Sequence, residues 1–139
     1  MNRKRNILFA GLLLSAALII PGCADEEPVN PSDDRDKLVD GWTCSETSTQ
    51  AGSSTYTILI SKSTTNSAEV LLENFYDIGN QHKARVSVSG NTLTIPQQLL
   101  NGNQLNGSGS MSGNNAFSLT YYINNGSSID TCTATCTRQ

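Results

Sequence analysis

A chain of 139 residues, 37% of them hydrophobic, has the length of one small domain with a short attached segment. With 9 basic and 12 acidic residues its formal net charge is −3, which argues against nucleic acid and anionic lipid surfaces as partners. Half of the acidic residues lie between positions 25 and 36, so the negative charge belongs mainly to one short stretch.

The N-terminus has the parts of a bacterial lipoprotein signal peptide. Basic residues at positions 3–5 precede a mostly apolar run over 7–20, which is too short for a secure membrane span. Gly22 is the small residue expected before Cys23, although Pro21 is an uncommon occupant of its position; an ordinary secretory signal with a coincidental cysteine is the alternative. We predict that residues 1–22 are removed and that Cys23 is acylated. The acyl chains, palmitate among them, anchor the protein to a membrane.

The residues after Cys23 bear on which membrane holds the anchor. Ala24 stands where some Gram-negative lipoproteins carry an inner-membrane retention aspartate, and the acidic run at 25–27 resembles the export signal of Bacteroidetes-type lipoproteins. That resemblance implies an outer-membrane lipoprotein displayed on the cell surface, with the periplasmic face as the alternative.

Residues 23–37 are rich in Asp, Glu and Pro, and Val29 is their only apolar side chain of any size. Such a stretch buries too little surface to offset the entropy lost on ordering. We predict an acidic disordered tether that reaches roughly 30 to 45 Å when fully drawn out.

Residues 38–139 are predicted to form one all-β domain, because Ser, Thr, Asn and Gly are abundant and no segment has a helical period. Gly-Asn at 90–91 and Asn-Gly at 125–126 suit tight hairpin turns. We count about eight strands with short connections, which predicts an antiparallel up-and-down meander closed into a barrel. The clearest alternating apolar rows are Tyr56, Ile58 and Ile60; Ala84, Val86 and Val88; and Phe117, Leu119, Tyr121 and Ile123.

Three segments carry a resemblance to a known family: Asn-Phe-Tyr-Asp-Ile-Gly at 74–79, the run over 86–98, and Gly-Ser-Gly at 107–109. They resemble small Bacteroidetes lipoproteins with a lipocalin-like, calycin-type β-barrel. The resemblance covers residues 38–138 and implies a fold, but no settled biochemical activity.

Trp42 near the start of the first strand and Arg138 near the end of the last resemble the calycin arrangement in which a basic side chain packs over a tryptophan. If these strands pair antiparallel with Trp42 opposite Arg138, Cys44 lies opposite Cys136. We therefore predict a disulfide between Cys44 and Cys136, with Cys132 as the alternative partner of Cys44. An exported compartment favours its oxidation.

The sequence contains no recognisable catalytic or metal-binding constellation. His82 is the only histidine, lies in a predicted turn and has no partner at ligand spacing. We interpret the carboxylates of Glu46, Glu69, Glu73 and Asp77 as scattered surface charge, with paired acids flanking a substrate as the alternative. We predict no enzymatic activity, no cofactor and no metal.

Phe75 and Tyr122 are predicted to point outward, because alternation sends Tyr76 and Tyr121 inward. Outward aromatic side chains are common docking points for a glycan or protein. The leading hypothesis is a non-enzymatic binding module for an unknown small ligand, glycan or protein. The alternative is a structural or interaction component of an outer-membrane assembly with a filled barrel, and the volume inside the barrel discriminates between them.

Overall fold

Alternation of apolar and polar residues produces eight strands in the computed structural model, which describes residues 32–139. Along most strands one set of alternate side chains is buried and the other faces solvent, as a barrel with a solid core requires. The strands are β1 (Asp40–Ser48), β2 (Gly52–Lys62), β3 (Glu69–Glu73), β4 (Lys83–Ser89), β5 (Thr92–Leu100), β6 (Asn103–Met111), β7 (Ala116–Asn124) and β8 (Ile129–Arg138).

Each strand pairs antiparallel with the next, and β1 pairs with β8, so the sheet closes into an up-and-down barrel. The predicted fold class is confirmed. In the β1–β8 ladder Trp42 lies opposite Arg138 and Cys44 lies opposite Cys136, which is the predicted register. Within the described residues no helix is long and apolar enough to cross a membrane.

The up-and-down topology gives the barrel two distinct ends. The near end is where the chain enters, and it holds residues 32–39 together with the loops at 63–68, 90–91 and 112–115. The far end holds the loops at 49–51, 74–82, 101–102 and 125–128.

The ladder between β4 and β5 is short, because it pairs only residues 87–89 with 92–94. Beyond that ladder lies a proline at position 96, which has no N–H to donate. On the other side of β5, the pairing with β6 shifts its register between Ile95 and Gln98. The Gln98 side chain takes over the missing pairing: its Oε1 accepts from the Arg85 N–H, and its Nε2 donates to the Arg85 carbonyl, both at 2.8 Å. This amide therefore holds the two strands together where the ladder ends.

Two glycines on the inner side of β6 let β7 approach closely. A Cβ added at Gly107 would lie 2.5 Å from the Thr120 carbonyl oxygen, and one at Gly109 would lie 1.9 Å from the Ser118 carbonyl oxygen. Both distances are shorter than any real contact, so larger residues would force the strands apart. The sequence segment 107–109 is thus structural.

A turn formed by the last residues of the predicted tether lies against the near end. The Arg35 guanidinium donates to the carbonyls of Ser63, Asn66 and Glu69 at 3.3, 3.2 and 3.3 Å, and Lys62 Nζ lies 2.9 Å from Asp33. Asp34 and Lys37 bond to Gly90 and Asn91 of the β4–β5 turn. Residues 32–37 are therefore a part of the barrel domain, which corrects the predicted boundary at 37, because their charged side chains pair with the end of β2, the β2–β3 loop, the start of β3 and the β4–β5 turn. The predicted signal peptide, Cys23 and the tether up to residue 31 lie outside the described residues.

Candidate functional site

A disulfide joins Cys44 of β1 to Cys136 of β8, with 4.0 Å between their Cα atoms. Of the two partners that the sequence left open for Cys44, the structure therefore selects Cys136. Cys132 is free and buried. Burial, with the nearby carboxylates of Glu46 and Asp130, raises the pKa of the Cys132 thiol to about 12, so it is no nucleophile at neutral pH.

Trp42 and Arg138 close the near end of the barrel. The Arg138 Cζ atom lies 4.6 Å from the centre of the Trp42 ring, as the resemblance predicted, and Trp42 packs edge-on against Phe117. The Trp42 indole N–H donates to the Leu38 carbonyl at 2.8 Å, and Leu38 is itself buried. This end is a sealed structural cap.

The prediction that Phe75 faces outward is wrong. Its side chain is completely buried, and its ring centre lies 4.6 Å from that of Tyr121. Strand alternation does not apply here, because Phe75 lies in a short 3-10 turn, Phe75–Asp77, next to left-handed backbone at Asn74, Tyr76 and Asp77. The turn inverts the expected orientation, and Phe75 plugs the far end of the barrel.

Tyr122 points outward, as predicted, and 42% of its surface is exposed. Its partner in the sequence pair, Tyr121, is fully buried inside the barrel. Phe75 and Tyr122 therefore do not form a common surface, and only Tyr122 remains available to a partner on the outside.

Glu46 lies inside the barrel, which corrects its interpretation as surface charge. Its side chain is 5% exposed, and its Oε2 atom accepts hydrogen bonds from Tyr56 at 2.5 Å and from Tyr121. Burial and the Glu46 carboxylate raise the pKa of the Tyr56 phenol well above its usual value. Burial, together with Tyr56 and Glu46, likewise raises the pKa of the Tyr121 phenol. Both phenols are therefore held as hydrogen-bond donors, and the carboxylate is satisfied without a cation.

Glu69, the first residue of β3, is also buried. This burial corrects the interpretation of Glu69 as surface charge.

Asp130 is a third buried carboxylate, and the sequence analysis missed it. It accepts hydrogen bonds from Ser48 at 2.6 Å, Tyr76 at 2.7 Å and Thr49 at 3.0 Å. Burial alone would raise the pKa of Asp130, but these hydrogen bonds and one from the backbone lower it to about 2. The signal that points to Asp130 is strand parity, since it shares the inner face of β8 with Cys132, Ala134 and Cys136.

The middle of the barrel is filled by its own side chains. An interior space near Phe117 and Leu119 has no room for a water molecule. It is lined by Leu38, Ile60, Val70, Leu72, Val86, Leu93, Phe117 and Leu119. In this conformation the barrel offers no internal ligand cavity there.

The outer surface of β5–β8 carries almost no charge, because the one charged side chain of these strands that reaches solvent is Arg138, which is 23% exposed and pairs with Asp40 at the near end. Between Arg85 and Arg138 the chain has one charged residue, Asp130, and it is buried. A typical protein surface draws about a quarter to a third of its residues from Lys, Arg, Glu and Asp. We call this surface the uncharged face; its exposed residues are Thr92, Thr94, Gln97, Leu99, Gln104, Asn106, Ser108, Ser110, Ser118, Thr120, Tyr122, Ile129, Thr133, Thr135 and Thr137.

The far end of the uncharged face is grooved. One shallow groove is lined by Gln97, Gln98, Leu99 and Gln104. A second begins on the other side of Leu99 and Gln104 and extends over Asn124 to the β7–β8 loop. Leu99 is 71% exposed and forms the ridge between them.

The described residues contain no group of three or more His, Cys, Asp or Glu side chains arranged to hold a metal ion. The buried carboxylates of Glu46 and Asp130 instead accept hydrogen bonds from hydroxyl groups, and Glu69 lies 3.8 Å from the Arg85 guanidinium. The arrangement at the far end is thus a hydrogen-bonded plug.

Neither a protein-family model nor a curated protein matches this chain. Among solved structures it is similar to a redesigned β-barrel, with a TM-score of 0.57 and 14% identity over 77% of this chain and 96% of that one. It is also similar to EF1p2_mFAP2b bound to DFHBI, with a TM-score of 0.55 and 13% identity over 77% of this chain and 98% of that one. At such low identity these similarities establish the β-barrel fold alone.

Proposed function

We propose that this protein is a non-enzymatic, lipid-anchored binding module whose binding surface is the outside of a filled barrel. The observation that carries this proposal is the interior around Phe117 and Leu119, which has no room for a water molecule. Pockets for small molecules usually enclose about 300 to 1,000 Å³. Binding on the outer strands therefore fits this structure better than binding inside it.

The anchored location is proposed from the sequence, on the signal-like N-terminus, Cys23 and the acidic run at 25–27. Nine residues lead from Cys23 to Ser32, where the described residues begin, so the proposed anchor joins the barrel domain at its near end. The far end and the uncharged face are then free to meet a partner outside the membrane.

A titration with a small apolar fluorophore, N-phenyl-1-naphthylamine, tests the filled interior. We expect no saturable binding to the native protein, because the interior space around Phe117 and Leu119 has no room even for a water molecule. The positive control is Leu119→Ala titrated with benzene, because the cavity that this substitution leaves in the core is the size of a benzene ring and too small for the naphthylamine. Benzene should bind Leu119→Ala and not the native protein. Saturable one-to-one binding by the native protein would overturn the proposal of an outer binding surface.

The second candidate function is binding of a small ligand at the far end, and Phe75 is the observation that favours it. Its buried ring closes the far end of the barrel, and the mouth of a β-barrel is a common place for a small-molecule site. The similar barrel EF1p2_mFAP2b was solved with DFHBI bound. Phe75→Ala removes the plug. If the native protein binds the fluorophore weakly and Phe75→Ala binds it at least tenfold more tightly, the second candidate replaces the first.

A further inference from the structure

We infer that the far end of the uncharged face binds an uncharged glycan, through the side-chain amides of Gln104, Asn106 and Asn124 and the ring of Tyr122. This inference rests on the proposed function, because it requires that the binding surface lies outside the barrel. It adds the chemical class of the partner and the place where the partner binds.

The register places these side chains together. Leu99 of β5 lies opposite Gln104 of β6, which lies opposite Asn124 of β7. Two residues along the same strands, Asn106 lies opposite Tyr122. Neighbouring strands are about 4.8 Å apart and alternate residues about 7 Å apart, so the group covers roughly 10 by 7 Å, comparable with a short segment of a sugar chain.

The chemistry of these side chains matches sugar hydroxyls. Each hydroxyl both donates and accepts a hydrogen bond, and a free Asn or Gln amide offers an NH₂ donor beside a carbonyl acceptor. The Asn124 Oδ1 atom already accepts from the Gly126 N–H at 2.8 Å, so Asn124 contributes its NH₂ group as a donor. Gln104 and Asn106 are exposed, and Tyr122 is 42% exposed. Tyr122 adds an apolar ring face for the C–H side of a sugar ring and a hydroxyl at its edge.

The lack of charged side chains on the uncharged face distinguishes between charged and uncharged polymers as partners. At the far end, the outward side chains of β5–β8 include no cation for an acidic polysaccharide or a nucleic acid, and no anion for a basic peptide. Arg85 on the neighbouring β4 is 49% exposed, but its guanidinium lies 3.8 Å from the Glu69 carboxylate, which pairs its charge. An uncharged hydroxyl-bearing chain needs no ionic partner, so the lack of charge on this face does not weaken its binding.

A protein partner fits this group of residues less well than a glycan. The centres of protein interfaces are enriched in aromatic residues, Met and Arg. This group has one aromatic ring and one exposed aliphatic side chain, Leu99, while its remaining members are amides.

The test is calorimetric and NMR titration of the purified full chain with uncharged hexasaccharides of the cello, malto, xylo and manno series, and with oligogalacturonate as the charged counterpart. We expect binding to at least one uncharged series and none to oligogalacturonate. The double substitution Gln104→Ala with Tyr122→Ala should weaken that binding at least tenfold. The matched control, Ser110→Ala with Ser118→Ala, lies on the same face near the other end and should change it less than twofold.

The outcomes separate this inference from the proposed function. Sugar binding that survives the double substitution overturns the site while leaving an outer binding surface in place. Failure of all four uncharged series to bind overturns the inference, and a photo-crosslinker at position 122 that captures a protein on intact cells then identifies the partner class as protein. Saturable binding of the apolar fluorophore to the native protein overturns the proposed function itself.

Discussion

The guanidinium of Arg138, the penultimate residue, lies over the ring of Trp42, with its Cζ atom 4.6 Å from the ring centre. The same guanidinium donates to the Asp40 carboxylate at 2.7 Å and to the Lys37 carbonyl at 2.5 Å. One side chain therefore joins the end of β8, the start of β1 and the entry turn, so the first and last strands of the barrel support each other.

Arg138→Ala should lower the free energy of unfolding by about 2 to 3 kcal/mol, because it removes the cation–π contact and charge-assisted hydrogen bonds. Arg138→Lys should recover only part of this loss, since an ammonium lacks the planar fork that spans several acceptors. Urea unfolding measures both. The control is Lys83→Ala, which removes a partly exposed ion pair with Glu73 and should cost less than about 1 kcal/mol. Equal losses for Arg138→Ala and Lys83→Ala would contradict the assigned role.

Removing the disulfide should lower the free energy of unfolding more than any other single change where β1 meets β8. Cys44 and Cys136 are 92 residues apart, and the chain-entropy model assigns about 4 to 5 kcal/mol to closing such a loop. Cys44→Ala should therefore lower the urea midpoint strongly, and a reducing agent should do the same to the native protein. Cys132→Ala is the control, because Cys132 is buried but unpaired. If reduction leaves the midpoint unchanged, the bond does not form in the purified protein.

Acid should destabilise the barrel through Asp130. Its pKa is about 2 in the folded protein and about 3.9 in an unfolded chain, so the stabilisation is present above pH 4 and is lost as the pH falls from 4 towards 2. The loss amounts to about 2 kcal/mol. Other carboxylates with a lowered pKa, such as Asp33 and Asp40, add to the total slope, so the difference between the native protein and Asp130→Asn isolates the contribution of this residue.

In unfolding experiments between pH 2 and 7, Asp130→Asn should be less stable than the native protein at pH 7, and the two should converge towards pH 2. Asp77→Asn, an exposed control, should follow the native curve. A constant difference between native protein and Asp130→Asn across this range would show that Asp130 does not titrate with a lowered pKa.

The register of the closing strands was predictable because Trp42 and Cys44 have the same spacing as Cys136 and Arg138, so one antiparallel alignment satisfies both pairs. Period-two alternation was sufficient to find the strands that line the core. Both kinds of inference use local spacing, which a strand converts directly into side-chain direction.

The far end was not predictable in the same way. Phe75 turns inward because left-handed backbone at Asn74 and Tyr76 breaks the strand, and neither residue type demands that conformation. Glu46 sits at an inward position of β1, but a carboxylate is expected at the surface unless its partners are known. Those partners include Tyr121, which is 75 residues away in the chain. The uncharged face became visible only when the barrel showed that the one charge between Arg85 and Arg138 is buried.

Cys23→Ser should abolish lipid attachment, because the acyl chains require the cysteine sulfur and its N-terminus. Metabolic labelling with an alkyne fatty acid should mark the native protein and leave Cys23→Ser unlabelled, either released from the membrane or unprocessed. Cys132→Ser controls for loss of a thiol in general and should keep its label. Undiminished labelling of Cys23→Ser would exclude the lipoprotein assignment.

Neutralising the acidic run with Asp25→Asn, Glu26→Gln and Glu27→Gln should retain the lipoprotein on the inner leaflet of the outer membrane. The expected reason is loss of the negative charge that resembles the surface-export signal. Protease added to intact cells should then cleave the native protein and spare the neutralised one, while both are cleaved after lysis. The matched control, Asp25→Glu, Glu26→Asp and Glu27→Asp, keeps every charge and should remain exposed to the protease. If native and neutralised proteins are cleaved equally on intact cells, the run at 25–27 does not determine surface display.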